Sequence, residues 1–65
     1  MKTISIDNGH STVTAAEAIA AVAWETIVEK MDAETREKVH AEGPETEEEF
    51  LRRYLEIAPE DIVIG

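Results

Sequence analysis

A chain of 65 residues makes one domain at most, and at that length only about 60% of the unfolded chain's surface is buried on folding, so a thin core is expected. The absence of cysteine excludes a disulfide framework, a thiol nucleophile, thiolate metal sites and iron–sulfur chemistry. Fifteen acidic against six basic residues leave a formal charge of −9, which opposes direct binding of DNA, RNA or anionic lipid, because such binding begins with Lys and Arg neutralising phosphates.

Disorder would also suit an acidic chain, but 43% hydrophobic residues in periodic order, with few Gly and Pro, argue for a fold. No apolar run is long enough for a signal-peptide core or a membrane span, so a cytoplasmic location is expected. The usual staples of a mini-protein are missing. Idealised packing, or burial against a partner or a second copy as a homodimer, must replace them.

In chain order, Thr3-Ile4-Ser5-Ile6 alternates polar and β-branched residues, and Asp7-Asn8-Gly9-His10 carries the Asn-Gly pair suited to a type I′ turn. A return strand through Ser11-Thr12-Val13 would set Asp7 opposite His10, Ile6 opposite Ser11, Ser5 opposite Thr12 and Ile4 opposite Val13. Ile4, Ile6 and Val13 then share one face, which must be covered.

Thr14-Ala15-Ala16-Glu17 reads as a capping box opening a helix over 15–31, since no Gly or Pro interrupts it. Its stripe is Ala20, Ala23, Trp24, Ile27, Val28 and Met31, widened by Ile19 and Val22. Asp32 suits the N-cap of a second helix over 33–41, supported by the pairs Asp32–Arg36 and Glu34–Lys38 and ended by Gly43-Pro44. Thr46-Glu47-Glu48-Glu49 is a second capping box, opening a third helix over 47–57. Phe50, Leu51, Tyr54, Leu55 and Ala58 form its buried stripe, and Pro59 stops it. Ile62-Val63-Ile64 supplies a short C-terminal strand. The expected fold is a single α+β domain over 1–65, an N-terminal β-hairpin and a C-terminal strand forming a small sheet packed by three helices. A helical bundle with frayed ends is the alternative.

Asp7 and His10 are a carboxylate–imidazole pair close in sequence, but a hairpin tip offers no visible nucleophile, desolvated pocket or oxyanion stabiliser, so no catalytic residue is assigned. Asp7, His10, His40 and Glu42 lack the spacing of zinc or calcium motifs, and no metal or cofactor is expected. The second and third helices have the length of a helix-turn-helix, but Glu47-Glu48-Glu49 would face phosphates. The acidic run Glu42, Glu45, Glu47, Glu48 and Glu49 reads either as a solvated helix face, with Glu48–Arg52 and Glu49–Arg53 as i,i+4 pairs, or as a patch for a basic partner surface. Trp24 anchors the core by default and becomes a binding hot spot if its side of the helix is uncovered.

The strings Ile4-Ser5-Ile6-Asp7-Asn8-Gly9, Thr35-Arg36-Glu37-Lys38-Val39-His40-Ala41-Glu42 and Glu49-Phe50-Leu51-Arg52-Arg53-Tyr54-Leu55 resemble short, functionally uncharacterised proteins carried on conjugative elements and phages of gut Firmicutes. The resemblance implies a bacterial accessory protein, in a setting where small acidic proteins often block restriction or CRISPR nucleases. Two functions are therefore expected ahead of any enzyme. One is a non-enzymatic protein–protein interaction or accessory protein, with Glu42, Glu45, Glu47, Glu48, Glu49 and Trp24 as candidate partner-binding residues. The alternative is a nucleic-acid mimic that inhibits a nuclease or DNA-binding protein through its carboxylates, in an anti-restriction or anti-CRISPR role. Strong salt sensitivity distinguishes the second.

Overall fold

In the computed structural model, which describes all 65 residues, β1 (Ile4–Ile6) and β2 (Ser11–Val13) pair antiparallel with Ile4 opposite Val13, Ser5 opposite Thr12 and Ile6 opposite Ser11. This is the expected register. The turn differs from the expected two-residue form: Asp7, Asn8 and Gly9 all take positive φ, at 53°, 55° and 87°. Asp7 thus leaves the strand and does not pair with His10 as a ladder residue, although the His10 amide still donates to the Asp7 carbonyl at 3.0 Å. The turn is tied to the other end of the chain: the Asn8 amide donates to the Ile64 carbonyl at 3.0 Å.

The C-terminal strand β3 (Ile62–Val63) lies parallel to β1 on the side away from β2, giving the order β2-β1-β3. The Ile62 and Ile64 amides donate to the Thr3 and Ser5 carbonyls at 3.0 and 2.9 Å, and the Lys2 amide reaches the Leu55 carbonyl at 2.8 Å. Alternation along the strands turns Ile4, Ile62 and Ile64 to one face, where all three are buried, with Ile6 and Val13 half-buried beside them.

The expected helix over 15–31 is two helices, α1 (Ala15–Ala21) and α2 (Trp24–Glu29). Val22 between them is extended, at φ −131° and ψ 144°. No Gly or Pro causes the break; the phase of the apolar residues does. On one continuous helix, Ala15, Ala18, Ile19 and Val22 would lie roughly 180° around the axis from Trp24, Ile27, Val28 and Met31, so one set would face water. The bend lets both sets turn inward. Ala15, Ala18, Ile27 and Met31 are buried and Ile19, Val22, Trp24 and Val28 half-buried, whereas Ala20 and Ala23, part of the expected stripe, are exposed. The Thr14 capping box forms as expected: the Glu17 amide donates to Thr14 Oγ1 at 3.2 Å and the Thr14 amide to Glu17 Oε1 at 2.9 Å.

Helix α3 (Ala33–Glu42) is capped by Asp32, whose carboxylate accepts from the Thr35 amide and hydroxyl, both at 2.9 Å. That use of Asp32 replaces the expected pair with Arg36. Only Thr35 and Val39 of α3 are buried, and Gly43, at φ 71°, closes the helix in the left-handed region that a Cβ disfavours. Helix α4 (Glu47–Ile57) buries Leu51, Tyr54 and Leu55, with Ala58 behind them. The Tyr54 hydroxyl accepts the Asp32 amide at 2.7 Å, tying α4 to the start of α3. Ile4, Ile27, Val39, Leu51 and Ile62 are the centre of the core, which therefore draws on sheet, α2, α3 and α4 together. No helix is long and apolar enough to cross a membrane.

Candidate docking groove

Two aromatic residues that helical spacing assigns to buried stripes stop short of the core. Trp24, at the start of α2, and Phe50, in the first turns of α4, are half-buried and meet edge to face, with ring centroids 5.7 Å apart and planes at 86°. Such a contact favours the pair beyond its area alone, by about 0.5–1.5 kcal/mol. With Val28 one turn further along α2, the pair forms the floor of an open groove of about 740 Å³. One wall is the flank of α3, carrying Arg36, Glu37 and His40; the other is the α3–α4 connection with the first residue of α4, Pro44 to Glu47.

Capping decides where the α4 acids point. The Glu49 amide donates to Thr46 Oγ1 at 3.1 Å, but the Glu49 carboxylate reaches past the cap to the Glu45 amide, also at 3.1 Å. Glu49 therefore does not pair with Arg53. Arg53 instead crosses to α3, with its Nε and Nη2 donating to the two carboxylate oxygens of Glu42 at 2.8 and 3.1 Å, and its Nη1 donating to Glu56 at 3.0 Å. These bonds, the one to Glu42 foremost, hold the Arg53 guanidinium above its ordinary pKa. Glu48 pairs with Arg52, and Glu34 with Lys38 at 3.6 Å, as their spacing predicts.

The candidate partner-binding residues thus divide. Glu42, Glu48 and Glu49 are engaged in internal bonds, the first beside Ile57 in a separate concavity between α3 and α4. Glu45, Glu47 and Trp24 come together in the groove, joined by Glu37. None of Glu37, Glu45, Glu47 or the groove's Arg36 is in an ion pair within the chain. Two residues of the acidic run, Glu45 and Glu47, thus share one surface with the apolar edge at Trp24. Sequence reasoning missed the rest of the lining, Val28, Arg36, Glu37, His40 and Phe50 among it. Arg36 and His40 each follow a buried residue, Thr35 and Val39, by one position, and this offset of about 100° marks the flank of a helix next to its buried side.

At the hairpin tip, Asp7, His10 and Ser11 are all exposed, and none of them lines the groove. No group of three or more His, Asp or Glu side chains is placed to hold a metal ion. Two further concavities lie between Met31, Tyr54 and Pro59 and around Arg53 and Ile57. No protein-family model, curated protein or solved structure matches the chain.

Proposed function

We propose that this chain is an acidic, non-enzymatic protein–protein interaction module that takes its partner in the groove floored by Trp24, Val28 and Phe50. The observation that carries this reading is the placement of the chain's one tryptophan, with Phe50, on the floor of an open groove rimmed by unpaired carboxylates. A clustered apolar surface with a polar rim is the usual anatomy of a binding site, and Trp is enriched among residues that dominate binding energy. The thin core gives no competing reason to leave such residues at the surface, because burying Trp24 fully would add stability that a domain of this size needs.

Mimicry of a nucleic acid is the weaker reading. A phosphate mimic requires free carboxylates at regular intervals, whereas Arg52 and Arg53 neutralise Glu48 and Glu42 and Glu49 is turned back on the Glu45 amide. The resemblance to accessory proteins of mobile elements suits either reading.

The test compares captures from native-cell lysate by the wild-type chain, by Val28→Asp in the groove floor and by Thr12→Asp on the exposed face of β2. A partner retained by Thr12→Asp and lost with Val28→Asp, while both variants keep the wild-type circular dichroism spectrum, supports docking in the groove. A partner indifferent to Val28→Asp contradicts it.

A further inference from the structure

We infer that the groove's occupant is an amphipathic helix of a partner protein, with an apolar stripe flanked by Lys or Arg; this rests on the reading of the groove as a docking surface and names its ligand. The charges of groove and occupant are complementary. Glu37, Glu45 and Glu47 stand on the groove's walls without internal cations, and the whole chain carries −9, so the field steers basic groups toward it and repels acidic ones.

The floor and walls suit a helix. A peptide that binds by strand addition needs the free edge of a sheet, but this groove is built by α2, α3, the α3–α4 connection and the start of α4 and holds no strand. A helix satisfies its own backbone and needs only a groove for its apolar stripe. The volume of about 740 Å³ accepts several side chains from such a stripe, within the ordinary range of binding cavities. Trp24 and Phe50 then meet aliphatic or aromatic side chains, while the Lys or Arg stems flanking the stripe lie along the walls and bring their charges to the carboxylates. Arg36 is the exception on the α3 wall, a cation without an internal carboxylate. It suits the C-terminal carbonyls of the docked helix, where the dipole is negative, and so gives the helix a direction.

The experiment titrates the isotope-labelled chain with three synthetic peptides of about 15 residues, long enough to form helix, followed by amide shifts and Trp24 fluorescence. The first has a Leu stripe flanked by Lys, the second replaces Lys with Glu, and the third keeps Lys but replaces Leu with Ser. The expected result is groove-centred shifts with the first peptide only, weakened by about tenfold or more in Glu45→Lys/Glu47→Lys. The same charge change placed outside the groove, Glu29→Lys/Glu60→Lys, should weaken binding far less. Equal loss in the two double variants means non-specific attraction to net charge and overturns the proposal. Groove shifts with the Glu peptide overturn the cationic occupant but leave groove docking standing. Groove shifts that appear on concentrating the chain alone make a second copy the occupant and overturn the partner helix. No shift with any peptide overturns the helical occupant and leaves groove docking to the Val28→Asp comparison, whereas shifts confined to residues outside the groove overturn the occupant and the docking surface together.

Discussion

Ala23→Pro is the substitution that most sharply separates the two-helix arrangement from a continuous helix over 15–31. Ala23 has φ −60° and ψ 138°, close to the φ of about −65° that a proline ring imposes. Its amide donates no hydrogen bond within the chain, so the lost N–H leaves no acceptor empty. Val22 before it is at φ −131° and ψ 144°, in the extended region that a residue preceding proline prefers. The side chain is exposed. A proline that fits the native backbone stabilises through the unfolded chain by about 0.4–1 kcal/mol, whereas in a helix interior it costs about 3 kcal/mol or more. For a domain of this size each kcal/mol moves Tm by roughly 4–8 °C. Ala23→Pro is therefore expected to raise Tm by a few degrees in thermal unfolding followed at 222 nm. Ala20→Pro, at an exposed position inside α1, is expected to lower it by roughly 12–24 °C or to prevent folding. If Ala23→Pro destabilises as much as Ala20→Pro, the break at Val22 is refuted.

Removing the Tyr54 hydroxyl in Tyr54→Phe leaves the Asp32 amide without its partner at 2.7 Å, at a partly buried helix start, and should cost about 1–2 kcal/mol by urea unfolding; an unchanged midpoint would show that the bond is replaced by water. The Glu17 carboxyl is held below its ordinary value of 4.5 by the Thr14 amide and then its hydroxyl, and Asp32 below 3.8 by the Thr35 amide and then its hydroxyl. A depressed folded-state pKa contributes stability above the unfolded value, and that contribution is lost as pH falls through the folded one. Acidification also relieves the repulsion of a chain at −9, so the sign is read from the gap between wild type and Glu17→Gln/Asp32→Asn. That gap in Tm should be present at neutral pH and close as pH drops through the carboxylate range. A gap independent of pH would show that the charges of these caps do not stabilise the fold.

Much of the fold could be read in the residues because the deciding interactions are local. Alternation at Ile4, Ile6 and Val13 with the Asn8-Gly9 pair sets the hairpin register, and Thr14, Asp32 and Thr46 mark helix starts that the structure keeps. The break at Val22 escaped a search for Gly and Pro, although it is written in the opposed phases of Ala15–Val22 and Trp24–Met31. Arg53 shows the limit of spacing rules. Glu49 stands four residues before it, but the αL turn at Gly43 folds α3 back beside α4 and presents Glu42 in a two-pronged bond that a single i,i+4 contact cannot match. The groove is further from the sequence still. Its floor joins α2 to α4 across 26 positions between Trp24 and Phe50, and its acids combine Glu37 of α3 with only two members of the run, Glu45 and Glu47.

The central claim, that a partner protein docks between the α3 flank and the start of α4, is tested most directly by photo-crosslinking in the native cells. A photoreactive residue is placed singly at Glu37 and Glu47, on opposite walls of the groove, and at Thr12 and Glu60 outside it. One and the same adduct from both wall positions, and none from the outer pair, is the predicted result. An adduct formed from Thr12 or Glu60 while both wall positions stay free would contradict the claim.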